Sequence, residues 1–304
     1  MNRHLNSTVI KGAVCAVTSA VCYALNPLGS LFLYREGANV HSVLFCRFLL
    51  AVLLLAGWML LRRISFAVTR QQFGILAILG TLFGASAYWL YTAFRYMDSG
   101  LACSLLFVYP VMVAALMALF FRERLTRAGY LSMAMALGGV ALLYHGEAGA
   151  ALHTGGVALV MLSALAYAVY IVIVNRAQFR MPVVPMTFYI LLFCGLTIGL
   201  TSFLSADTRI SFFTTPYEWA WVLFLAVVPG ILSTGVLTVA IRSIGSTPTS
   251  IIMALEPITA VLIGTTVFAE PFTLRYAAGI LLILAAVTLI ILCKAGRKAV
   301  PNRE

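Results

Sequence analysis

Charged residues are scarce in this sequence of 304 amino acids. They make up 10% of the chain, while apolar residues make up 62%. An ordinary soluble domain contains about 25% charged residues. So few charges cannot cover the surface of a soluble domain of this length, which argues against a water-soluble enzyme, a disordered chain and a disulfide-stapled protein. The composition predicts a polytopic membrane protein.

Several motifs that indicate catalysis or nucleotide binding are missing. The sequence contains no G-x-x-x-x-G-K-[ST], no H-E-x-x-H and no G-x-S-x-G, which argues against ATP as a direct energy source and against common hydrolase chemistry. The six cysteines lie in apolar stretches without C-x-x-C spacing, so no metal, cofactor or disulfide framework is expected. The net charge of +11 comes from short basic clusters between apolar stretches, and this pattern does not indicate nucleic-acid binding.

Ten mostly apolar segments approach the length of about 20 residues that a membrane-spanning helix needs. They cover residues 12–33, 42–61, 73–94, 100–121, 128–145, 156–175, 184–204, 219–241, 248–268 and 276–293. With the N-terminus placed inside, 15 Lys and Arg residues fall on the inner side and four on the outer side. Because basic residues accumulate in cytoplasmic loops, both termini are predicted to be cytoplasmic, and the expected location is a bacterial inner membrane.

The chain contains an internal repeat. The pattern Gly…Ser-Ala-x-x-Tyr-Ala starts at Gly12 and again at Gly156, an offset of 144. Residues 93–126 align without a gap to residues 240–273 at an offset of 147, and seven of these 34 positions are identical. The repeat predicts an all-α fold of ten transmembrane helices in two halves.

The two predicted halves cover residues 11–146 and 154–294, and each contains five helices. Because five is odd, the second half crosses the membrane in the opposite sense. This inverted arrangement is typical of secondary transporters, whose two halves offer two near-equivalent ways to open.

The repeated motifs resemble those of the EamA-like branch of the drug/metabolite transporter superfamily. The first half ends in Tyr109-Pro110-Val111 followed by Phe121-Arg122-Glu123, and the second in Glu256-Pro257-Ile258 followed by Phe268-Ala269-Glu270. Segment two carries Cys46-Arg47-Phe48. The resemblance covers about residues 11–293 and implies a ten-helix carrier of small metabolites, often an exporter; bacterial amino-acid exporters belong to this group. It also implies a cavity lined by segments one, three, four, six, eight and nine.

Three prolines predict bends inside the spans. Pro110 and Pro257 lie near the centres of segments four and nine, and Pro27 lies in segment one beside Asn26. Proline lacks an N–H and clashes with the carbonyl four residues earlier, which for Pro27 is that of Tyr23. The recurrence at matched positions favours bends that flank a central cavity, and kinks that serve packing alone are the alternative.

Glu256 is the one acid of nine that falls inside a predicted span. A charge at the bilayer centre costs about 2.5–3.5 kcal/mol on insertion scales, so this carboxyl is protonated, paired or exposed to a watery cavity. Proton coupling and binding of a substrate amine are the functional hypotheses. A protonated carboxyl that is hydrogen-bonded within the bundle is the structural one. The position that corresponds to Glu256 in the first half is Tyr109.

Arg47 is the one arginine or lysine that falls inside a predicted span. It could snorkel, bind backbone carbonyls or contact an anionic substrate group, and a structural role is favoured. Glu123 and Glu270 end segments four and nine at matched positions. They are solvated or capping acids, or salt-bridged latches, one on each membrane face.

Aromatic and polar residues within the spans are candidates to line the cavity, although packing is the alternative for each. The full candidate set is Tyr23, Asn26, Tyr88, Tyr91, Tyr109, Tyr167, Tyr170, Ser233 and Glu256. Gly80-x-x-x-Gly84 predicts a close helix contact, and Pro229-Gly230 predicts a flexible element in segment eight.

The sequence thus predicts a monomeric secondary carrier in the lipid bilayer. It would move small organic metabolites, amino acids or related compounds, by alternating access, with or without proton exchange. Two other classes stay open: a scaffold or sensor that transports nothing, and an intramembrane enzyme that acts on lipid. The enzyme would need at least two convergent catalytic groups in one leaflet.

Overall fold

The computed structural model describes residues 2–121, 127–144, 153–176, 181–203, 209–244, 249, 252–253, 255–270 and 272–298. Every regular element within these ranges is a helix. Those of the first half are α1 (Asn2–Ala24), α2 (Asn26–Arg35), α3 (Val40–Leu61), α4 (Arg70–Ala93), α5 (Ser99–Leu106), α6 (Tyr109–Phe121) and α7 (Arg127–Tyr144). Those of the second half are α8 (Thr154–Arg176), α9 (Val183–Thr201), α10 (Pro216–Leu225), a π-helix (Ala226–Leu232), α11 (Ser233–Ile244), α12 (Leu255–Val267) and α13 (Leu274–Lys298).

Among the described residues, seven helical segments are long and apolar enough to cross a membrane. They are Ile10–Arg35, Val40–Leu61, Arg70–Ala93, Ser99–Phe120, Thr154–Val174, Val183–Thr201 and Pro216–Leu237. Three shorter apolar helices, Gly129–Leu142, Leu255–Val267 and Leu274–Leu289, occupy the positions of predicted segments five, nine and ten. The all-helical membrane character is confirmed, and the count of ten spans stays a prediction.

Several spans are broken where the sequence places a proline. The break between α1 and α2 falls at Leu25, two residues before Pro27. The break between α5 and α6 falls at residues 107–108, just before Pro110. Proline cannot donate the backbone hydrogen bond that would continue each helix, so the chain ends one helix and begins the next.

Two of the prolines in the second half are those that the sequence analysis singled out. Pro257 lies in the first turn of α12, where a missing N–H leaves no intrahelical bond unmade. Pro229 lies inside the π-helix between α10 and α11. A π-helix is a local widening of an α-helix, and this one gives predicted segment eight its irregular centre.

The helix contacts occur in matched pairs between the halves. Helix α4 packs against α8 and α9, and in the second half α11 packs against α1 while α10 and the π-helix pack against α3. Helices α5 and α6 contact α8, and α12 contacts α1. Helix α3 pairs with α9, α5 with α12 and α7 with α13. A two-repeat architecture accounts for this pattern, because these contacts between different helix types have counterparts in the other half.

The contact between α4 and α9 depends on a glycine. A Cβ atom at Gly80 would lie 2.4 Å from Phe193 Cβ and 2.7 Å from the carbonyl oxygen of Ile190. The Cys194 thiol donates to the Gly80 carbonyl at 3.2 Å. Small residues of this kind let two membrane helices approach closely.

Replacing Gly80 by leucine is expected to separate α4 from α9. Overpacking of this kind costs about 1–3 kcal/mol, so the thermal unfolding midpoint of Gly80→Leu in detergent should fall. Gly74→Leu is the matched control, because nothing lies within 4 Å of a Cβ atom at that position of the same helix. Equal midpoints for the two variants would show that the contact is not tight.

Candidate functional site

An aromatic cluster lies where α4, α6 and α8 meet. The Tyr109 ring lies 4.7 Å from the Tyr167 ring, and Tyr167 stacks on Tyr170 at 5.7 Å. Phe83 packs against both, at 5.9 Å from Tyr167 and 5.5 Å from Tyr170. This tyrosine cluster, Tyr109, Tyr167 and Tyr170, joins three predicted candidates at the break between α5 and α6. It can offer ring faces and hydroxyl groups to a ligand.

Glu256 lies beside the tyrosine cluster. It occupies the first turn of α12 and is 6% exposed. Tyr23, Tyr109 and Tyr167 all lie within electrostatic reach of its carboxyl group. The structure therefore brings four predicted candidates from α1, α6, α8 and α12 into one neighbourhood.

The Glu256 carboxyl keeps a small exposed area. Within the described ranges, the Glu256 carboxyl forms no side-chain hydrogen bond. The Tyr276 hydroxyl is the one side-chain polar atom there that is both fully buried and without a hydrogen-bond partner. The unpartnered carboxyl oxygens of Glu256 are thus not fully occluded. An acid in this position can exchange a proton or accept a hydrogen bond from a ligand.

Arg47 is buried in a polar triad with two other predicted candidates. Its Nη1 donates to Asn26 Oδ1 at 2.7 Å and to the Tyr91 hydroxyl, which in turn donates to Asn26 Oδ1 at 2.8 Å. The guanidinium group also lies 4.7 Å from the Phe48 ring centroid and 5.1 Å from that of Tyr91. The triad connects α2, α3 and α4, which accords with a structural role.

The triad also supplies the hydrogen-bond donor that is missing at the helix break beside Pro27. Because proline has no N–H, the carbonyl of Tyr23 lacks its helical donor. The Asn26 side chain supplies one, since its Nδ2 donates to the Tyr23 carbonyl at 2.8 Å. Asn26 therefore binds the freed carbonyl with its nitrogen and the Arg47–Tyr91 pair with its oxygen.

Two remaining candidates occupy helix contacts. The Tyr88 ring packs 4.8 Å from the ring of His41. Ser233 is 1% exposed, and its hydroxyl donates to the carbonyl of Ser19 at 3.1 Å. The structure thus places Ser233 in a contact between α11 and α1.

Glu270 joins α12 to the start of α5. Its carboxylate accepts hydrogen bonds from Ser99 N at 2.8 Å, Ser99 Oγ at 2.6 Å and Gly100 N at 3.0 Å. A Cβ atom at Gly264 would lie 2.1 Å from Glu270 Oε2, so glycine leaves room for the carboxylate. These partners are helix-terminal donors and a hydroxyl group. The matched residue Glu123 lies outside the described residues.

A second contact closes the same end of the bundle, which we call the Glu270 face. Phe32 at the end of α2 stacks on Trp221 of α10 at 4.8 Å and packs 5.5 Å from Phe268, just after α12. The Arg35 guanidinium covers the rings of Phe32 at 5.6 Å and Phe268 at 5.2 Å. Together with the Glu270 contact, this aromatic seal joins α2, α5, α10 and α12. Sequence patterns could not find it because each of its residues is an ordinary interfacial type.

Asp98 lies next to the Glu270 contact, before the first residue of α5. Burial and, to a smaller extent, the charge of Glu270 raise the pKa of the Asp98 carboxyl. An acid whose pKa is raised by folding destabilises the folded state at neutral pH, and this penalty disappears as the acid becomes protonated.

Asp98→Asn is therefore expected to raise the thermal unfolding midpoint at pH 7. The gain should shrink as pH falls and vanish below about pH 4, where the unfolded aspartate is also protonated. Thermal unfolding in detergent at a series of pH values measures this. A loss of stability at pH 7 would show that the Asp98 charge is favourable in the folded protein.

Within the described part of the chain, no group of three or more His, Cys, Asp or Glu side chains could hold a metal ion. The site offers one carboxyl group, tyrosine hydroxyls and aromatic faces. These groups bind and release small ligands and protons.

The chain resembles proteins of known structure and one protein family. One crystal structure, described only as that of a protein, matches with a TM-score of 0.65 and 19% sequence identity, over 97% of this chain and 99% of the other. At this identity the match shows the fold alone. No individually curated protein is significantly similar in sequence. The family model of the EamA-like transporters matches twice, over residues 10–145 and 154–292. The chain therefore belongs to the EamA-like transporter family of the drug/metabolite transporter superfamily, as its motifs predicted.

Proposed function

We propose that this transporter is a secondary carrier that exports small organic metabolites, amino acids or related compounds, across a bacterial inner membrane. The observation that carries the proposal is the neighbourhood of Glu256. There a carboxyl group that is mostly buried and has no hydrogen-bond partner among the described residues lies near the tyrosine cluster and the helix breaks at Pro27 and Pro110. The site combines residues of both halves, since Tyr23 and Tyr109 come from the first and Tyr167 and Glu256 from the second.

A ligand at this site contacts both halves of the protein. Any rearrangement of one half against the other then changes both the shape of the site and the face from which it is reached. Paired helix contacts support such a rearrangement, because they provide two similar arrangements of the same elements. This is the basis for proposing alternating access.

The chemistry of the site favours a substrate that carries an amine. A carboxylate accepts hydrogen bonds from an ammonium group, and tyrosine faces attract cations. The same carboxyl can bind a proton. When proton and substrate amine compete for Glu256, the binding of each displaces the other, and outward substrate flux is coupled to inward proton flux.

The basic residues give the proposed orientation. Their distribution favours cytoplasmic termini, and with that orientation the Glu270 face lies on the outer side of the membrane. On that orientation the aromatic seal and the Glu270 contact close the cavity to the outside.

Counterflow in liposomes tests the proposed function. The purified protein is reconstituted, and vesicles loaded with one unlabelled amino acid or amine are tested for uptake of the same labelled compound. Saturable exchange of one chemical class is expected, and empty liposomes provide the control. Absence of exchange for every amino acid, amine and related metabolite would contradict the proposal and favour a scaffold or sensor.

A further inference from the structure

Two serines form a reciprocal contact between α1 and α11. Ser19 Oγ donates to the carbonyl of Ser233 at 3.0 Å, and Ser233 Oγ donates to the carbonyl of Ser19 at 3.1 Å. The two hydroxyl oxygens lie 3.2 Å apart. Both side chains are buried, at 0% and 1% exposure. We call this contact the first serine clasp.

The second serine clasp joins α4 to α8 in the same way. Ser86 Oγ donates to the carbonyl of Ser163 at 3.0 Å, and Ser163 Oγ donates to the carbonyl of Ser86 at 2.7 Å. The hydroxyl oxygens lie 3.0 Å apart. A serine that binds the carbonyl of the facing helix requires close backbones, so each clasp fixes the distance between two helices.

The two clasps are counterparts under the internal repeat. The offset of 144 relates Ser19 to Ser163, and the offset of 147 relates Ser86 to Ser233. Each clasp joins one helix of the first half to one of the second. Four serines from two sequence repeats therefore make the same contact twice.

The aromatic seal at the Glu270 face differs in this respect. By the same offsets, the positions that match Phe32 and Trp221 of the aromatic seal hold Arg176 and Gly74. The aromatic seal therefore has no chemical counterpart at the opposite face.

Whether a contact has a counterpart in the other half distinguishes contacts that persist during transport from contacts that change. In an inverted repeat, the two halves exchange conformations when the cavity turns from one side of the membrane to the other. A contact that has the same counterpart in the other half is present both before and after the two halves exchange conformations. A contact without such a counterpart is broken or formed when the halves exchange conformations.

We infer that the two serine clasps are the fixed pivots of transport. Helices α1 and α11 move as one rigid pair, and α4 and α8 as another. The Glu270 face opens when α5 separates from α12 and the aromatic seal parts, while both clasps persist. This inference rests on the proposed carrier function.

Cysteine cross-linking distinguishes pivots from moving contacts. In a variant without native cysteines, one protein carries Ser19→Cys with Ser233→Cys, a second Ser86→Cys with Ser163→Cys, and a third Phe32→Cys with Phe268→Cys across the aromatic seal. The clasp pairs are oxidised to disulfides, and the seal pair is joined by a short bifunctional methanethiosulfonate. Reducing agent reverses each link, so every variant serves as its own control for folding.

Each clasp disulfide should leave at least half of the exchange rate of the same variant when reduced. The link across the aromatic seal should remove more than nine-tenths of it, and reducing agent should restore it. Exchange that a clasp disulfide abolishes and reduction restores would overturn the inference.

A distance measurement keeps the inference testable if no solute is exchanged and the proposed function fails. Spin labels on α1 and α11 near the first clasp should give one narrow distance in liposomes. Labels on α5 and α12 across the Glu270 contact should give two. A broad or double distance across the clasp would overturn the pivots without reference to flux.

Discussion

Glu256→Gln is expected to remove the effect of a pH gradient on transport. Glutamine keeps the size of the side chain and one hydrogen-bonding oxygen but cannot titrate or carry charge. Hydrogen bonds to charged groups contribute about 1.5–3 kcal/mol, so affinity for an amine-bearing substrate should also fall by about tenfold to a hundredfold. Counterflow with and without a pH gradient measures both effects.

Glu218→Gln is the matched control for Glu256→Gln. Glu218 is an exposed acid in the first turn of α10, where its carboxylate binds Thr214 and Thr215. The control should keep its pH-driven flux. If Glu256→Gln exchanged substrate normally and still followed the pH gradient, the carboxyl would be structural, and the proton would act elsewhere.

Glu270→Ala is expected to open the Glu270 face. The substitution leaves Ser99 N, Ser99 Oγ and Gly100 N without their charged acceptor. Losing even one charge-assisted hydrogen bond, at about 1.5–3 kcal/mol, shifts a two-state equilibrium by about tenfold to a hundredfold. The closed arrangement at this end should therefore lose most of its population.

The native thiol of Cys103 reports this opening. It lies on α5, the helix that Glu270 holds, and is 5% exposed. In a protein whose other cysteines are replaced, Glu270→Ala should raise the labelling rate of Cys103 at least about tenfold. The labelling rate of Glu270→Gln should lie between those of the wild type and Glu270→Ala, because the neutral amide oxygen of glutamine still accepts hydrogen bonds. Glu36→Ala, which removes an exposed acid, is the control, and equal labelling in all variants would show that Glu270 does not hold this face closed.

The features of the fold that depend on residues close together in the chain could be predicted from the sequence. Apolar length predicted the helices, and the prolines predicted breaks where α1 and α5 end. The doubled motifs predicted the family. The first two signals lie within about 20 residues, the length over which helix periodicity and backbone sterics act, and the third comes from comparing the two halves of the chain.

The contacts that define the site depend on distant residues. Arg47 lies 21 positions from Asn26 and 44 from Tyr91, and Ser19 lies 214 from Ser233. Composition and periodicity do not choose between the many possible partners of a buried arginine or serine. One signal for the clasps was nevertheless present, because the repeat offset relates Ser86 to Ser233 as it relates the aligned prolines.

The hydrogen-bond partners of Glu270 could not be predicted from the sequence either. Its place at a helix end allowed a solvated or capping acid as well as a latch, because a sequence does not specify the hydrogen-bond geometry. Two of its three partners are backbone N–H groups of α5, which every residue except proline possesses, so no side-chain pattern identified them. Gly264 matters only because the Glu270 carboxylate lies against it.

In the proposed mechanism, the site at Glu256 opens to each side of the membrane in turn. A single cysteine introduced as Tyr109→Cys, in a protein without native cysteines, tests it with a membrane-impermeant thiol reagent applied to right-side-out and inside-out vesicles. Alternating access predicts labelling from both sides, with substrate slowing the reaction on each. Labelling from one side only, whether or not substrate is present, would contradict the account.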